Sequence, residues 1–295
     1  MSGTAPTPPR RILLAAGLSC RCDRALDRAV QLANEWNAEL VAAYVSSAAD
    51  TFQYDLDRAR PSWRRKVNPV DRMRWRLQRD VAHAADNIRT IVEEGEPAEV
   101  LLAIAEREAC DLIVTGIARD ETLGRMFLGR TVNRLVRGAT MPVLVVRDRP
   151  LRPYRAIVVA TDFSEASLQA LLAASSLFPE SGLTLFHGYD VPFAGFFDDR
   201  DFEAELQSME RNMSQKLLND ERLPASLRSR TSIEIEHGAP ESLIADYIEE
   251  KHVDLTVIGS HGRGVIFDTL IGSTAMRLLE NLAGDLLIVR YRPGD

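Results

Sequence analysis

Cysteine is scarce in this chain of 295 residues: there are three, Cys20, Cys22 and Cys110. Three thiols make no disulfide framework, and Cys20 and Cys22, flanking one arginine, have no second ligand pair nearby to complete a zinc site. Reduced thiols are expected, with Cys110, just ahead of an apolar run, a small buried residue. No apolar stretch approaches the roughly 20 residues that a membrane-spanning helix needs, so no membrane role is expected. The opening MSGTAPTPPRR lacks the apolar segment of a secretory signal, which predicts a cytoplasmic protein with a disordered leader over residues 1–10. Positive charge is not in excess. A net charge of −7 argues against a dedicated nucleic-acid binder. The Walker pattern with its lysine is absent, as is G-x-G-x-x-G after the first strand; this excludes a P-loop NTPase and a typical dinucleotide fold.

What is present is ordinary globular material, 45% hydrophobic and 27% charged, enough for about two domains of roughly 150 residues. The chain also repeats itself. EGEPAEVLLAIAEREACDLIVTG (94–116) aligns with EHGAPESLIADYIEEKHVDLTVIG (236–259), placing Gly95 on Gly238, Pro97 on Pro240, Asp111 on Asp254 and Gly116 on Gly259. The same shift of 143 positions carries Gly129 onto Gly272 and VLVVR onto LLIVR. RILLAAGLS (11–19) matches RAIVVATDFS (155–164) at a slightly different shift. One domain-sized unit is used twice, over 11–149 and 150–295, with prolines 150 and 153 at the junction.

In the second unit the apolar runs AIVVAT, GLTLFHGY, TSIEIEHG, VDLTVIGS and DLLIVR read as strands. Most lack polar alternation, as a parallel sheet covered on both faces requires; TSIEIE alternates and is expected nearer an edge. Helical patterns lie between them, with Ser164 as an N-cap, Pro240 in a first turn and Gly284 as a stop. Alternating strands and helices predict two tandem doubly wound α/β domains with Rossmann-like parallel sheets, whose ligands lie beyond the C-terminal strand ends. The last strands, VLVV and LLIV, are expected at sheet edges, where the two units could pair as a pseudo-dimer within one chain; a further homodimer stays open.

Residues 259–274, GSHGRGVIFDTLIGST, carry the chemistry. Gly259, Gly262, Gly272 and Ser273 form G-x2-G-x9-G-S between a strand and a helix. A helix N-terminus offers unpaired N–H groups and partial positive charge, glycine lets an anion approach them, and Ser273 and Thr274 add hydroxyl donors. Glycine could also serve only the turns. Asp162 follows the first strand of the same unit. It can accept from a base amino group or a ribose hydroxyl, or it can cap the next helix in competition with Ser164.

These residues resemble the universal stress protein family, whose adenine-nucleotide motif is G-x2-G-x9-G-(S/T). ATDFSE (160–165) resembles the family's first-strand turn, and LFHGYDV (185–191) its second strand end, with Gly188 at the position that meets the base. The likeness covers nearly the whole chain, twice. It implies five-stranded parallel sheets, adenine nucleotide alpha hydrolase-like, and a site made of Ala160, Thr161, Asp162, Gly188, Ile258, Gly259, Gly262, Gly272, Ser273 and Thr274. ATP would lie there, with or without Mg²⁺, in a regulatory stress-response protein rather than a strong enzyme. A slow ATP hydrolase and a nucleotide-free scaffold stand as alternatives.

Unit one departs from the motif. Arg119 stands for Gly262, Arg130 for Ser273 and Gly17 for Asp162, so no equivalent ATP site is expected there; the two arginines gripping another anion is the alternative. Residues 55–80, rich in arginine with Trp63 and Trp75 interleaved, read as a solvated insertion or as a surface for an anionic partner. Phe193, Phe196 and Phe197 are a candidate lid or a packing patch.

Overall fold

The computed structural model describes residues 8–17, 23–46, 68–82, 88–117, 128–189, 208, 211–212, 215, 219–260 and 272–290. The chain divides into two compact units, Pro9–Pro153 and Tyr154–Asp295. Among the described residues, no helix is long and apolar enough to cross a membrane.

Unit one runs β1 (Arg11–Ala15), α1 (Asp23–Trp36), β2 (Glu39–Ser46), α2 (Pro69–Val81), β3 (Ile88–Glu94), α3 (Pro97–Arg107), β4 (Leu112–Gly116), α4 (Arg130–Gly138) and β5 (Val143–Val146). Its strands lie in the order β3-β2-β1-β4-β5, all parallel. Unit two runs β6 (Ala156–Ala160), α5 (Glu165–Leu177), β7 (Gly182–Tyr189), α6 (Ala225–Arg230), β8 (Thr231–His237), α7 (Pro240–Lys251), β9 (Leu255–Gly259), α8 (Ser273–Asn281) and β10 (Asp285–Val289). Its order is β10-β9-β6-β7-β8, again parallel. The apolar runs of β4, β5, β9 and β10 are buried almost throughout, because helices cover both faces of each sheet. TSIEIE falls at the sheet end as β8, and its residues are half-buried or exposed.

Several repeated residues do the same physical work in both units. Asp111 accepts the N–H groups of Arg10 and Arg11 at 2.7 and 3.1 Å. Asp254 accepts those of Arg155 and Ala156, both at 2.9 Å. Each carboxylate ties the strand that opens its unit to the loop before the fourth strand. Gly95 and Gly238 have φ of +147° and +142°, a region closed to side chains, and this explains their retention in the repeat.

Two expectations need correction. The stretch 55–80 is not simply a solvated insertion: its described part includes α2, opened by an Asn68 side chain accepting the Val70 N–H and by Pro69. Met73, Leu77 and Val81 are buried on one face of α2, at the i, i+4, i+8 spacing of an amphipathic helix. Residues 55–67, and the candidate lid Phe193, Phe196 and Phe197, lie outside the described residues. Gly284 is not the helix stop. α8 ends at Asn281 with Leu282 as C-cap, and Gly284, at φ +81°, makes the turn into β10.

Candidate functional site

The order reversal in unit two lies between β6 and β9, whose ends are in register at Ala160 and Ile258. Parallel strands there send their helices to opposite faces, leaving a crevice at the C-terminal edge. A cavity of about 370 Å³ occupies it. Nine expected residues line this cavity: Ala160, Thr161, Asp162, Gly188, Ile258, Gly259, Gly272, Ser273 and Thr274. Gly262 lies outside the described residues, as do His261 and Arg263.

The turn after β6 is built locally. Ser164 caps α5, its hydroxyl accepting the Ser167 N–H at 3.3 Å. Asp162 is therefore not the cap; its Oδ1 accepts the Ser164 N–H at 3.1 Å and braces the turn before the helix. Phe163 sits at φ +59°, a left-handed conformation unusual for a bulky residue. Its N–H donates to Thr161 Oγ1 at 2.9 Å, and its ring packs on His187 with centroids 4.7 Å apart. This twist holds the Asp162 side chain in the cavity wall.

The opposite wall is a helix start. Gly272 is the N-cap of α8 with no side-chain capping bond; its own N–H donates to Ser260 O at 3.0 Å. The first bond inside the helix runs from Met276 N–H to Gly272 O, so the amides of Ser273, Thr274 and Ala275 precede the ladder. The start of α7 reaches the same cavity through Pro240, and its N-cap Ala239 also makes no side-chain cap. Two uncapped helix N-termini and the start of α5 thus share one crevice, and their dipoles give it positive character.

The glycines divide in their roles. A Cβ on Gly259 would stand 2.7 Å from Ala166 O and 2.8 Å from Ala166 C, so this glycine permits α5 to lie on β9. A Cβ on Gly188 would meet Pro240 Cα at 2.9 Å, which seats α7. Gly272 has φ −58° and ψ 147°, open to any residue, so backbone conformation does not require glycine there.

The cavity also takes Ser167, His187, Pro240, Ile244, Ala275 and Leu278, which sequence reasoning missed. His187 has a signal in hindsight, since it precedes Gly188 on β7. Its Nδ1 lies 2.7 Å from Thr161 O; a carbonyl only accepts, so Nδ1 carries the proton.

The matching place in unit one keeps the frame and not the lining. Gly17 follows β1 where Asp162 follows β6, and Arg130, exposed, is the first residue of α4 behind an N-cap Gly129 of the same geometry as Gly272. A cation there opposes the helix dipole. Arg119 lies outside the described residues.

Comparison with known proteins agrees with this architecture. The model described as Universal stress protein family matches the chain twice, over residues 9–147 and 153–290. A universal stress protein of Methanocaldococcus jannaschii is 26% identical over 140 residues, spanning 46% of this chain and 82% of that protein. A universal stress protein E homolog of Haemophilus influenzae is 25% identical over 222 residues, spanning 70% of each. A solved universal stress protein from Archaeoglobus fulgidus superposes with TM-score 0.62 at 17% identity, covering 95% of this chain and 98% of that one. A functionally unknown protein of Pseudomonas aeruginosa superposes at 0.66 and 19% identity, covering 96% and 92%. These two structural likenesses speak for the fold alone. With both halves matched in succession and both folded alike, the chain belongs to the universal stress protein family as a tandem member.

Proposed function

We propose that unit two binds an adenine nucleotide, ATP, as a regulatory ligand of a cytoplasmic stress-response protein. One observation carries the reading: at the strand-order reversal, a carboxylate on a braced turn faces uncapped helix amides across one cavity of about 370 Å³, within the size of small-ligand sites. Asp162 and the Gly188 backbone suit the base and ribose, which need acceptors and close approach. The amides of Ser273 to Ala275 and the hydroxyls of Ser273 and Thr274 suit phosphate oxygens. Among the described residues Asp162 is the only acidic one in the lining, and no group of three or more His, Cys, Asp or Glu could hold a metal. A Mg²⁺ ion would arrive on the phosphates, with waters completing its shell.

The test is to denature the purified protein, measure released nucleotide at 260 nm, and titrate the emptied protein calorimetrically with ATP, ADP and AMP. Bound nucleotide that raises the melting temperature, and whose affinity falls at least about tenfold in Asp162→Ala, is expected. ATP that neither binds nor stabilises would leave the scaffold reading in its place.

A further inference from the structure

At the other end of the unit-two sheet lies a second cleft, of about 450 Å³. It opens at the first residues of β6, β7 and β8: Ala156, Gly182 and Thr231 all line it. The length of β6 separates it from the cavity at Ala160 by roughly 13 Å at 3.3 Å per residue.

The duplicated chain supplies its own control. In unit one the corresponding end is spanned by ion pairs. Arg11 donates to Glu39 at 2.8 Å and also reaches the Glu108 carbonyl. Arg89 pairs with Glu39 at 3.4 Å and with Glu108. Two guanidinium groups between two carboxylates fill the space with matched charge. Unit two has replaced all four. Gly182, Ser232 and Lys251 stand 143 positions after Glu39, Arg89 and Glu108. Ala156, in register with Gly182 as Arg11 is with Glu39, replaces the remaining arginine.

What remains is not a neutral gap. Among the described residues Arg155, Arg230 and Lys251 line the cleft and no carboxylate does, in a chain whose net charge is −7. Arg230 is committed to the fold, donating to the carbonyls of Ser175, Phe178 and Ser181 at 2.7 to 3.2 Å. Arg155 and Lys251 are exposed at the rim. Lys251 ends α7 and offsets the negative end of that helix's dipole. Below them runs a hydroxyl chain: Tyr247 OH donates to Thr184 Oγ1 at 3.3 Å, and Thr184 Oγ1 lies 3.0 Å from Ser232 Oγ. Hydroxyls both donate and accept, and so match a polyol; ammonium and guanidinium groups match an oxyanion.

We propose that this cleft is a second ligand site, for a phosphorylated sugar or a comparable phosphate ester, with Arg155 and Lys251 on the oxyanion and Thr184, Ser232 and Tyr247 on the hydroxylated body. It is independent of the nucleotide cavity.

Lysine is rare enough to report on it: the chain has only Lys66, Lys216 and Lys251. Reductive ¹³C-methylation of the full chain gives a separate NMR signal for each, and Lys251→Arg assigns the one that matters. Glucose 6-phosphate, inorganic phosphate and glucose are the probes. A saturable shift of the Lys251 signal with glucose 6-phosphate is expected, about tenfold tighter than with inorganic phosphate, with glucose silent. The decisive variant rebuilds unit one's closure: Gly182→Glu, Ser232→Arg and Lys251→Glu. A Cβ at 182 meets only Arg155 O at 3.6 Å, an ordinary contact, so the site accepts a side chain. This variant loses the methyl-lysine reporter, so the ester is followed by calorimetry; binding should vanish while ATP titration is unchanged. Should the triple variant not fold, Lys251→Glu alone, at an exposed position, must weaken the ester. Three results overturn the proposal: no Lys251 response at millimolar glucose 6-phosphate, glucose acting as well as its phosphate, or ester binding undiminished in the charge-reversed variants.

Discussion

At the scale of single residues, glycines that look alike in the sequence carry different duties. Gly259 and Gly272 belong to one spaced motif, yet Gly259 is hemmed in by backbone, from Ala166, while Gly272 is an N-cap with φ −58° and ψ 147°. Gly259→Ala should cost about 1–3 kcal/mol in denaturant unfolding, as overpacking does. Gly272→Asp should leave stability unchanged or raise it by a few tenths of a kcal/mol, since aspartate is a better N-cap than glycine. The same carboxylate would take the first-turn amides and repel phosphate, so ATP binding should fall steeply. Opposite signs on stability, measured side by side, separate packing from binding. The motif's position was legible from spacing. The division of labour was not, because Ala166 lies 93 positions before Gly259 and only the folded helix brings it there. Cys110 behaves as its apolar surroundings suggest: it is buried, and burial pushes its thiol up to about 11. Iodoacetamide at pH 8 should leave native Cys110 unmodified and label it once the chain is unfolded, a contrast readable by mass spectrometry.

At the scale of elements, helix ends and buried stripes decide. The N-terminus of α5 is clamped from outside: Arg222 donates to both Glu165 oxygens, one at 2.5 Å and the other at 3.0 Å, and also holds Asp220 at 2.9 Å. The Arg222 hydrogen bond holds the Glu165 carboxyl below its ordinary value of 4.5, against the opposing pull of partial burial. A carboxyl lowered by folding stabilises the native state above its unfolded pKa, and that stability is lost as pH falls through the folded one. Wild-type protein should therefore lose stability below about pH 4.5, and Arg222→Gln should flatten that acid-side slope while changing little at neutral pH, where the pair is half exposed and screened. α2 shows why one element escaped the sequence reading. Its arginines dominate the composition of 69–81, while its buried apolar residues, Met73, Leu77 and Val81, come only once per turn. Leu77→Ala should cost about 2–5 kcal/mol, whereas Trp75→Ala, 58% exposed, should stay within about 0.5 kcal/mol.

At the scale of the whole molecule, the chain is one architecture used twice with selective losses. What keeps the frame is duplicated: Asp111 and Asp254 under the opening strands, Gly95 and Gly238 at positive φ, and Ala109 and His252 in left-handed turns. The glycines and aspartates of this frame were legible because they obey one register, with Gly95 and Asp111 both moved by 143; Ala109 and His252, unlike in kind, were matched only by their backbone. The masks of side chains over that frame were partly legible. Gly17 for Asp162 and Arg130 for Ser273 could be read by alignment, but the ion-paired end of unit one and its open counterpart needed three strands and a helix brought together. The asymmetry at the nucleotide edge predicts a stoichiometry. Unit one has no carboxylate after β1 and a cation on the first residue of α4, so it should not hold ATP as unit two does. Calorimetry on emptied wild-type protein should then give about one ATP per chain. Asp162→Ala combined with Gly272→Asp should remove it altogether, with circular dichroism unchanged. Two nucleotides per chain, or one persisting in that double variant, would mean that Arg130 and its surroundings serve ATP themselves.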